Sequence, residues 1–295
     1  MAVTALKRKR SAEGRHRSRP LAKREFEGLP TEYSFPIASI DGYSWFVYGE
    51  KKIGKTTLFS QYPDPYFMMF EPGGKALKLK RNMITDWAHA KFLLKKLKRD
   101  KKFKTVIIDT ADVMSTMCTR YVCDKLVIDH PSDEGWAKGW DAVAEEFSIF
   151  VNGLLALDKG IVFVSHARET NIKSRMGQEW NKMAPSMKPK AAETLNGLCD
   201  ILAYYHYNGD NRFLTIRGND FITAGHRLNT EELGIDAFNW EGKPVRHISM
   251  GDSPKEGYKN VVDCFNNEYK PVPYRSGGTP KKKRVKKKKR TRKAA

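Results

Sequence analysis

The order of apolar and polar positions predicts strands that alternate with helices. Short apolar runs, rich in β-branched and aromatic residues, occur at residues 44–48, 66–71, 105–109 and 160–165. Such runs indicate buried strands, and the segment that follows the first run, residues 56–62, begins as a helix. This alternation predicts an α/β fold with a mainly parallel central sheet flanked by helices.

Two further segments complete the predicted fold. Residues 200–207 and 212–217 have the composition of strands and are separated by Asn208-Gly209, a strong signal for a β-hairpin. We expect this hairpin to form an antiparallel edge of the sheet. Residues 257–269 suggest a closing helix that turns Val261, Val262 and Phe265 inward.

A basic helix is predicted between the second and third strands. Apolar residues at helical spacing indicate one buried face: Trp87, Phe92, Leu93, Leu94 and Leu97. Residues 75–104 carry twelve Lys and Arg against two Asp. The pattern leaves two interpretations open, a solvated helix face or a surface for nucleic acid or an acidic partner.

The charge is concentrated at the two ends of the chain. The 295 residues include 54 Lys and Arg against 34 Asp and Glu, a formal net charge of +20. Residues 1–25 hold nine Lys and Arg, and residues 276–295 hold eleven. Without apolar periodicity, such segments are expected to be disordered arms that bind polyanions through counterion release.

These features divide the chain into four predicted parts. They are a basic disordered arm (1–33), a globular core (34–250), a closing segment (251–275) and a basic disordered tail (276–295). No apolar run reaches the roughly 20 residues that span a bilayer, so no membrane association is expected. The four cysteines, Cys118, Cys123, Cys199 and Cys264, lack zinc-ligand spacing, which predicts buried free thiols.

The strongest chemical signal is a complete G-x-x-x-x-G-K-T motif between a strand and a helix start. It predicts a phosphate-binding loop formed by Gly49, Glu50, Lys51, Lys52, Ile53, Gly54, Lys55, Thr56 and Thr57. The glycines let backbone N–H groups face the phosphates, and the helix N-terminus adds a positive dipole end. Lys55 is expected to reach the β- and γ-phosphates, and Thr56 to ligate Mg²⁺.

A carboxylate for the metal is predicted at the end of the third strand. Asp109 closes the β-branched run 105–109, which has the form of a Walker B strand. The alternative is that Asp109 merely caps the next helix, a task that Thr110 or Asp112 could also perform. Since Thr110 follows Asp109 where many AAA-type motors place a catalytic Glu, either the carboxylate that polarises water comes from elsewhere or hydrolysis is feeble.

Glu71 and His166 are the remaining candidates for catalysis. Glu71 ends the second apolar run, and His166 follows the fourth. Ligands of open parallel sheets lie beyond the carboxyl ends of the strands. We therefore expect Glu71, Asp109 and His166 to converge on the phosphate-binding loop, with His166 as a sensor of the γ-phosphate. An exposed loop acid and a structural histidine are the alternatives.

Four motifs in order resemble phage-encoded RecA-core ATPases, some of which are single-strand annealing proteins. The motifs are residues 49–57, 70–74, 108–110 and 164–166, and the resemblance covers roughly residues 40–220. It implies ATP and Mg²⁺ as cofactors and Lys55, Thr56, Asp109, Glu71 and His166 in the roles given above. It also implies binding to single-stranded DNA, a homo-oligomeric ring or filament, strand annealing, and a single-strand-binding protein as a partner.

The segment after His166 is predicted to be a long basic loop. Residues 168–190 contain six Lys and Arg, Trp180, and Gly and Pro residues that interrupt regular structure. The resemblance places DNA contacts in this loop, and cations beside an aromatic ring suit single-stranded DNA. The candidates are Lys173, Arg175, Trp180 and Lys182; a mobile surface loop is the alternative.

The leading hypothesis is a slow, DNA-stimulated, Mg²⁺-dependent ATPase that binds single-stranded DNA and promotes annealing in phage recombination or replication. A motor or loader of helicase or packaging type, a DNA-binding module with a structural nucleotide, and a small-molecule kinase remain as alternatives. The bacterial cytoplasm is the expected compartment. Residues 280–285, Pro-Lys-Lys-Lys-Arg-Val, equally resemble a nuclear localisation signal.

Overall fold

The computed structural model describes residues 29–33, 35–228 and 236–274. Most of the predicted arm 1–33, and the whole of the predicted tail 276–295 with its 280–285 motif, lie outside the described residues. The described residues before Pro36 form no helix or strand, and every element below belongs to the compact unit that starts at Pro36.

Helices and strands alternate through the first two thirds of this unit. The helices are Lys55–Phe59 (α1), Trp87–Leu97 (α2), Ala111–Leu126 (α3), Lys138–Leu155 (α4), Pro189–Leu198 (α5) and Pro254–Phe265 (α6). The strands are Ser44–Gly49 (β1), Pro65–Met69 (β2), Lys80–Met83 (β3), Thr105–Asp109 (β4), Gly160–Lys173 (β5), Glu179–Pro185 (β6), Ile201–Asn208 (β7), Asn211–Thr215 (β8), Gly225–His226 (β9), Asn239–Trp240 (β10), Lys243–Pro244 (β11) and His247–Ser249 (β12). Short 3₁₀ helices span Ile40–Gly42, Pro131–Asp133 and Gly135–Ala137.

The main sheet has the order β12-β8-β7-β1-β5-β4-β2-β3. The pairs β7–β1, β1–β5, β5–β4, β4–β2 and β2–β3 are parallel, whereas β8 and β12 add an antiparallel edge. This confirms the predicted α/β class, the mainly parallel sheet and the edge hairpin. The central strand β5 separates β1, which precedes the phosphate-binding loop, from β4, which ends at Asp109.

Apolar side chains fill both faces of the sheet, because β1 and β4 are buried along their lengths and β5 is buried over residues 160–165. In β1, Trp45 and Val47 point to one face of the sheet, where they pack with residues of α1 and α6. Phe46 and Tyr48 point to the other face, where α2, α3, α4 and α5 pack. The result is the three-layer arrangement that a parallel sheet requires. All four cysteines are buried within it.

Helix α2 differs in one detail from the predicted apolar stripe. Its N-cap residue, Asp86, accepts a hydrogen bond from the N–H of His89 at 2.8 Å. Trp87, Leu94 and Leu97 are buried, but Phe92 is 53% exposed, so its predicted inward position is wrong. The buried positions follow a spacing of three and four residues, and Phe92 lies off that line.

The long loop predicted at residues 168–190 is also wrong. Strand β5 continues through His166 to Lys173 and pairs antiparallel with β6, from Ala167 opposite Pro185 to Lys173 opposite Glu179. Gly177, at a φ of 82°, lies in the turn between the two strands. The part of β5 after Ser165 and most of β6 are partly or fully exposed and largely polar, so no apolar run marked them as β-structure.

Among the described residues, no helix combines the length and the apolar character needed to cross a bilayer.

Candidate nucleotide site

The predicted phosphate-binding loop connects the end of β1 to the start of α1. Gly49 lies so close to β7 that a Cβ there would be 2.2 Å from the carbonyl oxygen of Tyr205. Gly54 precedes α1 with a φ of 106°, in the left-handed region. Each glycine of the motif therefore has a structural reason: Gly49 permits close packing, and Gly54 permits the turn into the helix.

Lys55 is buried beneath this loop and is only 6% exposed. Its Nζ donates to the carbonyl oxygens of Gly49 at 2.8 Å and Glu50 at 2.7 Å. Burial lowers the pKa of Lys55 to about 8, and the nearby carboxylates of Asp109, Asp112 and Glu71 oppose the shift. The loop thus holds a cation whose hydrogen bonds to carbonyls could be exchanged for bonds to phosphate oxygens.

Thr56 and Asp109 meet across the sheet edge. The hydroxyl of Thr56 donates to Oδ2 of Asp109 at 2.7 Å. Burial raises the pKa of the Asp109 carboxyl, while the bond from Thr56 opposes that rise. Hydroxyl and carboxylate oxygens are the ligands that Mg²⁺ prefers. This pair, next to the Lys55 cation, fits a metal–nucleotide complex.

Glu71 and His166 also lie at this edge, as neighbours. Nε2 of His166 is 3.4 Å from Oε1 of Glu71, and the Thr110 hydroxyl donates to Oε2 of Glu71 at 3.3 Å. Nδ1 of His166 is buried and has no hydrogen-bond partner among the described residues. The three predicted side chains at strand ends, Glu71, Asp109 and His166, are therefore brought to one place.

Asp112 has a larger part in the site than its sequence position indicates. Thr110 occupies the N-cap position of α3 without a side-chain capping bond. Asp112, in the first turn of the helix, accepts from the Ser165 hydroxyl at 3.1 Å, the N–H of His166 at 3.2 Å and the Ser186 hydroxyl. It therefore ties the start of α3 to the strand that carries His166. A cleft of about 370 Å³ opens here, and Lys51 and His166 also line it.

Arg212 is a second residue that the sequence did not single out. Its Nη1 lies 3.4 Å from where a Cβ on Gly54 would be. Burial raises the pKa of the Tyr205 hydroxyl, and the Arg212 guanidinium opposes that rise. Only the pairing of β7 with β8 and of β7 with β1 brings Arg212 to the loop. Arg217, five residues further along the chain, instead donates from Nε to the carbonyl of Val245 at 3.2 Å.

The four residues predicted to contact DNA lie on the β5–β6 hairpin but do not share a face. Lys173 is opposite Glu179 and forms an ion pair with it at 3.1 Å. Trp180 is on the other face, half-buried, and donates from Nε1 to the Asp220 carbonyl at 2.9 Å. Lys182 shares the face of Trp180, whereas Arg175 is exposed in the connecting turn.

The fold and this site define the class of the protein: a P-loop, an adjacent Thr–Asp pair and a mainly parallel sheet form a P-loop nucleotide-binding domain. The chain belongs to the AAA domain family, whose match extends over residues 41–228, well over half of its length. No curated protein matches the sequence.

Similar folds occur among solved structures. The RadB recombinase superposes with a TM-score of 0.36 at 14% identity, covering 60% of this chain and 81% of that one. A KaiC-like protein, PH0186 from the hyperthermophilic archaeon Pyrococcus horikoshii OT3, gives a TM-score of 0.39 at 11% identity, covering 75% and 88%.

Proposed function

We propose that this protein is a Mg²⁺-dependent ATPase that binds single-stranded DNA and promotes the annealing of complementary strands. One observation carries the proposal. Strand β5 passes the nucleotide site at His166 and continues without interruption to Lys173, where it forms one strand of the polar hairpin. A single β-strand therefore connects the γ-phosphate end of the site to a candidate DNA surface.

Different residues of the chain bind the phosphates and the metal ion. Lys55 exchanges its bonds to Gly49 and Glu50 for bonds to β- and γ-phosphate oxygens, and the N–H groups of residues 49–57 surround the phosphates. Thr56 and Asp109 hold Mg²⁺, which when bound neutralises negative charge on the same oxygens. Neither role needs a change in the fold, since these side chains already meet at the loop.

Glu71 and His166 act on the water and on the γ-phosphate. The Glu71 carboxylate orients the attacking water, and the Thr110 hydroxyl holds its second oxygen in place. His166 contacts Glu71 on one side, and its main-chain N–H is held by Asp112 on the other. A change at the γ-phosphate is therefore transmitted to His166 and along β5 to the hairpin.

The hairpin supplies the proposed DNA contacts. Lys182 and Trp180 share one face, where the cation binds phosphate and the indole stacks on a base. Arg175 at the turn extends this surface. Lys173 binds DNA when a phosphate replaces Glu179 as its ion-pair partner. Annealing further requires a homo-oligomer, in a ring or filament, that presents many such hairpins to one strand. A single-strand-binding protein is the proposed partner, and the bacterial cytoplasm the proposed compartment for a phage-encoded protein.

The proposal is tested by measuring ATP hydrolysis with and without single-stranded DNA, beside annealing of labelled complementary strands. Lys55→Ala should abolish hydrolysis and DNA-dependent annealing, whereas Lys255→Ala, which removes an exposed lysine far along the chain, should behave as wild type. Hydrolysis that DNA does not alter would disconnect the two sites. Annealing that survives Lys55→Ala would favour a DNA-binding module with a structural nucleotide, and displacement of a strand from a duplex would identify a motor.

A further inference from the structure

Six basic side chains form an exposed surface at the end of α2 that the proposed function does not use. We call it the α2 ridge. It consists of Lys95, Lys96, Lys98, Arg99, Lys101 and Lys102, all of which are exposed.

The packing of α2 directs these cations to solvent. Trp87, Ala90, Leu94 and Leu97 bury the opposite face of the helix in the core. In the described part of the chain, no ion pair includes a ridge residue. The charge of the ridge is therefore available to a partner.

Two other lysines of the same region already have partners within the protein. Lys91 pairs with Glu146 at 2.7 Å. Lys159 donates to the carbonyl oxygens of Asp100 at 2.7 Å and Phe103 at 2.6 Å. The Asp100 carboxylate, the acid within the ridge, accepts main-chain N–H groups of the connection to β4. Lys91 and Lys159 are therefore satisfied by contacts within the protein, whereas no ion pair of the described residues includes a residue of the α2 ridge.

Helix stabilisation accounts for only part of the ridge. Lys95 and Lys96 lie in the last turn of α2, where cations interact favourably with the helix dipole. Lys98 is the C-cap, and Arg99, Lys101 and Lys102 lie beyond the helix. These four like charges repel one another, and they stabilise the helix less than Lys95 and Lys96 do. Binding of an anion is therefore the simpler explanation for their presence.

The position of the ridge separates it from the nucleotide. The connection from α2 enters β4 at Thr105, the amino end of the sheet, where the N–H of Gly160 bonds the carbonyl of Lys104 at 3.0 Å. The nucleotide site lies at the carboxyl end, beyond Asp109. A five-residue strand separates the two edges by roughly 17 Å. A ligand on the ridge therefore does not contact the nucleotide.

We infer that the α2 ridge is a second nucleic-acid site, one that binds the phosphate backbone of single-stranded DNA whether or not ATP is bound. The inference rests on the proposed function and adds a nucleotide-independent contact to it. Phe92 supports DNA as the occupant. It is 53% exposed and one helical turn before Lys96, whose ammonium lies 5.2 Å from the centre of its ring. An exposed aromatic ring among cations offers a stacking surface to an unpaired base.

The test is the salt dependence of binding to a labelled oligothymidylate, measured by fluorescence anisotropy on the full chain. The ridge variant is Lys95→Gln, Lys98→Gln and Lys102→Gln. The matched control, Lys243→Gln, Lys255→Gln and Lys270→Gln, removes the same charge from exposed positions elsewhere. Each phosphate contact with a single strand contributes about 0.7 to the slope of log K against log salt concentration. We expect the ridge variant to lose about 2 from this slope, equally with and without ATP.

The outcomes separate the two proposals. A slope equal to that of the control would overturn the ridge and leave the DNA-binding ATPase standing. A loss confined to the ATP-bound protein would also overturn it, because the contact would then depend on the nucleotide. Wild-type protein that hydrolyses ATP but binds no oligonucleotide would overturn both. Arginine at the same three positions should restore the slope, since it keeps the charge.

Discussion

Replacing Lys55 with methionine should stabilise the nucleotide-free protein while it removes nucleotide binding. Lys55 is 6% exposed, and burial lowers its pKa to about 8 from 10.5. At about 1.4 kcal/mol for each pKa unit, a charged Lys55 destabilises the folded chain by about 3 kcal/mol at neutral pH. Lys55→Met removes that charge at similar volume, but it leaves two carbonyl oxygens without their donor. Because each of these oxygens costs at least about 1 kcal/mol when it is left unsatisfied, we expect a net gain of at most about 1 kcal/mol in the free energy of unfolding.

The pH dependence provides the sharper measurement. Between the folded pKa near 8 and the unfolded pKa near 10.5, the unfolded chain binds more protons at Lys55 than the folded chain does. The free energy of unfolding of the wild type should therefore rise with pH across this window, relative to Lys55→Met. Below the window the cost of the charge is fully present, and above it the cost is gone.

Urea denaturation of both proteins without nucleotide, at a pH below 8 and again near 10, measures this difference. Other groups that titrate in this range, such as the buried tyrosines, contribute equally to both proteins and cancel in the comparison. Lys255→Met, at an exposed lysine, should show the wild-type pH dependence. If the free energies of unfolding of the wild type and of Lys55→Met changed in parallel with pH, Lys55 would not be a destabilising buried cation.

Three further predictions concern the site and the hairpin. Glu71→Gln should lower the rate of ATP hydrolysis by about 10²–10⁴-fold with little change in nucleotide affinity; an unchanged single-turnover rate would exclude Glu71 from orienting the water. Arg212→Ala should weaken binding of a fluorescent ATP analogue by about tenfold, the order expected for one charge-assisted hydrogen bond, whereas Arg217→Ala should not, and equal effects would argue against a specific contact from Arg212. Trp180→Ala should weaken binding to single-stranded DNA by about 1–3 kcal/mol, and Trp180→Phe should restore most of it; failure of Phe to do so would indicate that the indole bond to Asp220 matters more than stacking.

Local pattern was sufficient for the central strands and for the phosphate-binding loop. The runs at 44–48 and 105–109 are buried on both faces, so burial alone made each of them continuously apolar. The glycines and Lys55 were recognisable because the chemistry of phosphate binding constrains residue type and spacing within one short segment. For the same reason Asp109, Glu71 and His166 could be placed at strand ends before their mutual distances were known.

Local pattern failed where a residue's environment depends on distant parts of the chain. The β5–β6 hairpin has no apolar alternation to reveal it, because most of its side chains are partly or fully exposed. Each of the two strands satisfies the backbone of the other. Phe92 has the character of a core residue, but the core contacts α2 along the line of Trp87, Ala90, Leu94 and Leu97, and Phe92 lies off that line and is exposed.

The sequence by itself determined the α/β class, the mainly parallel sheet of short buried strands and a complete phosphate-binding motif. Only the tertiary structure decided which side chains surround that motif. Asp112 reaches β5 because α3 begins beside it, and Arg212 reaches Gly54 because β8 is joined to β1 through β7. The physical reason is that hydrophobic periodicity and turn chemistry act over a few residues, whereas these contacts join residues far apart in the chain and exist only after the sheet has formed.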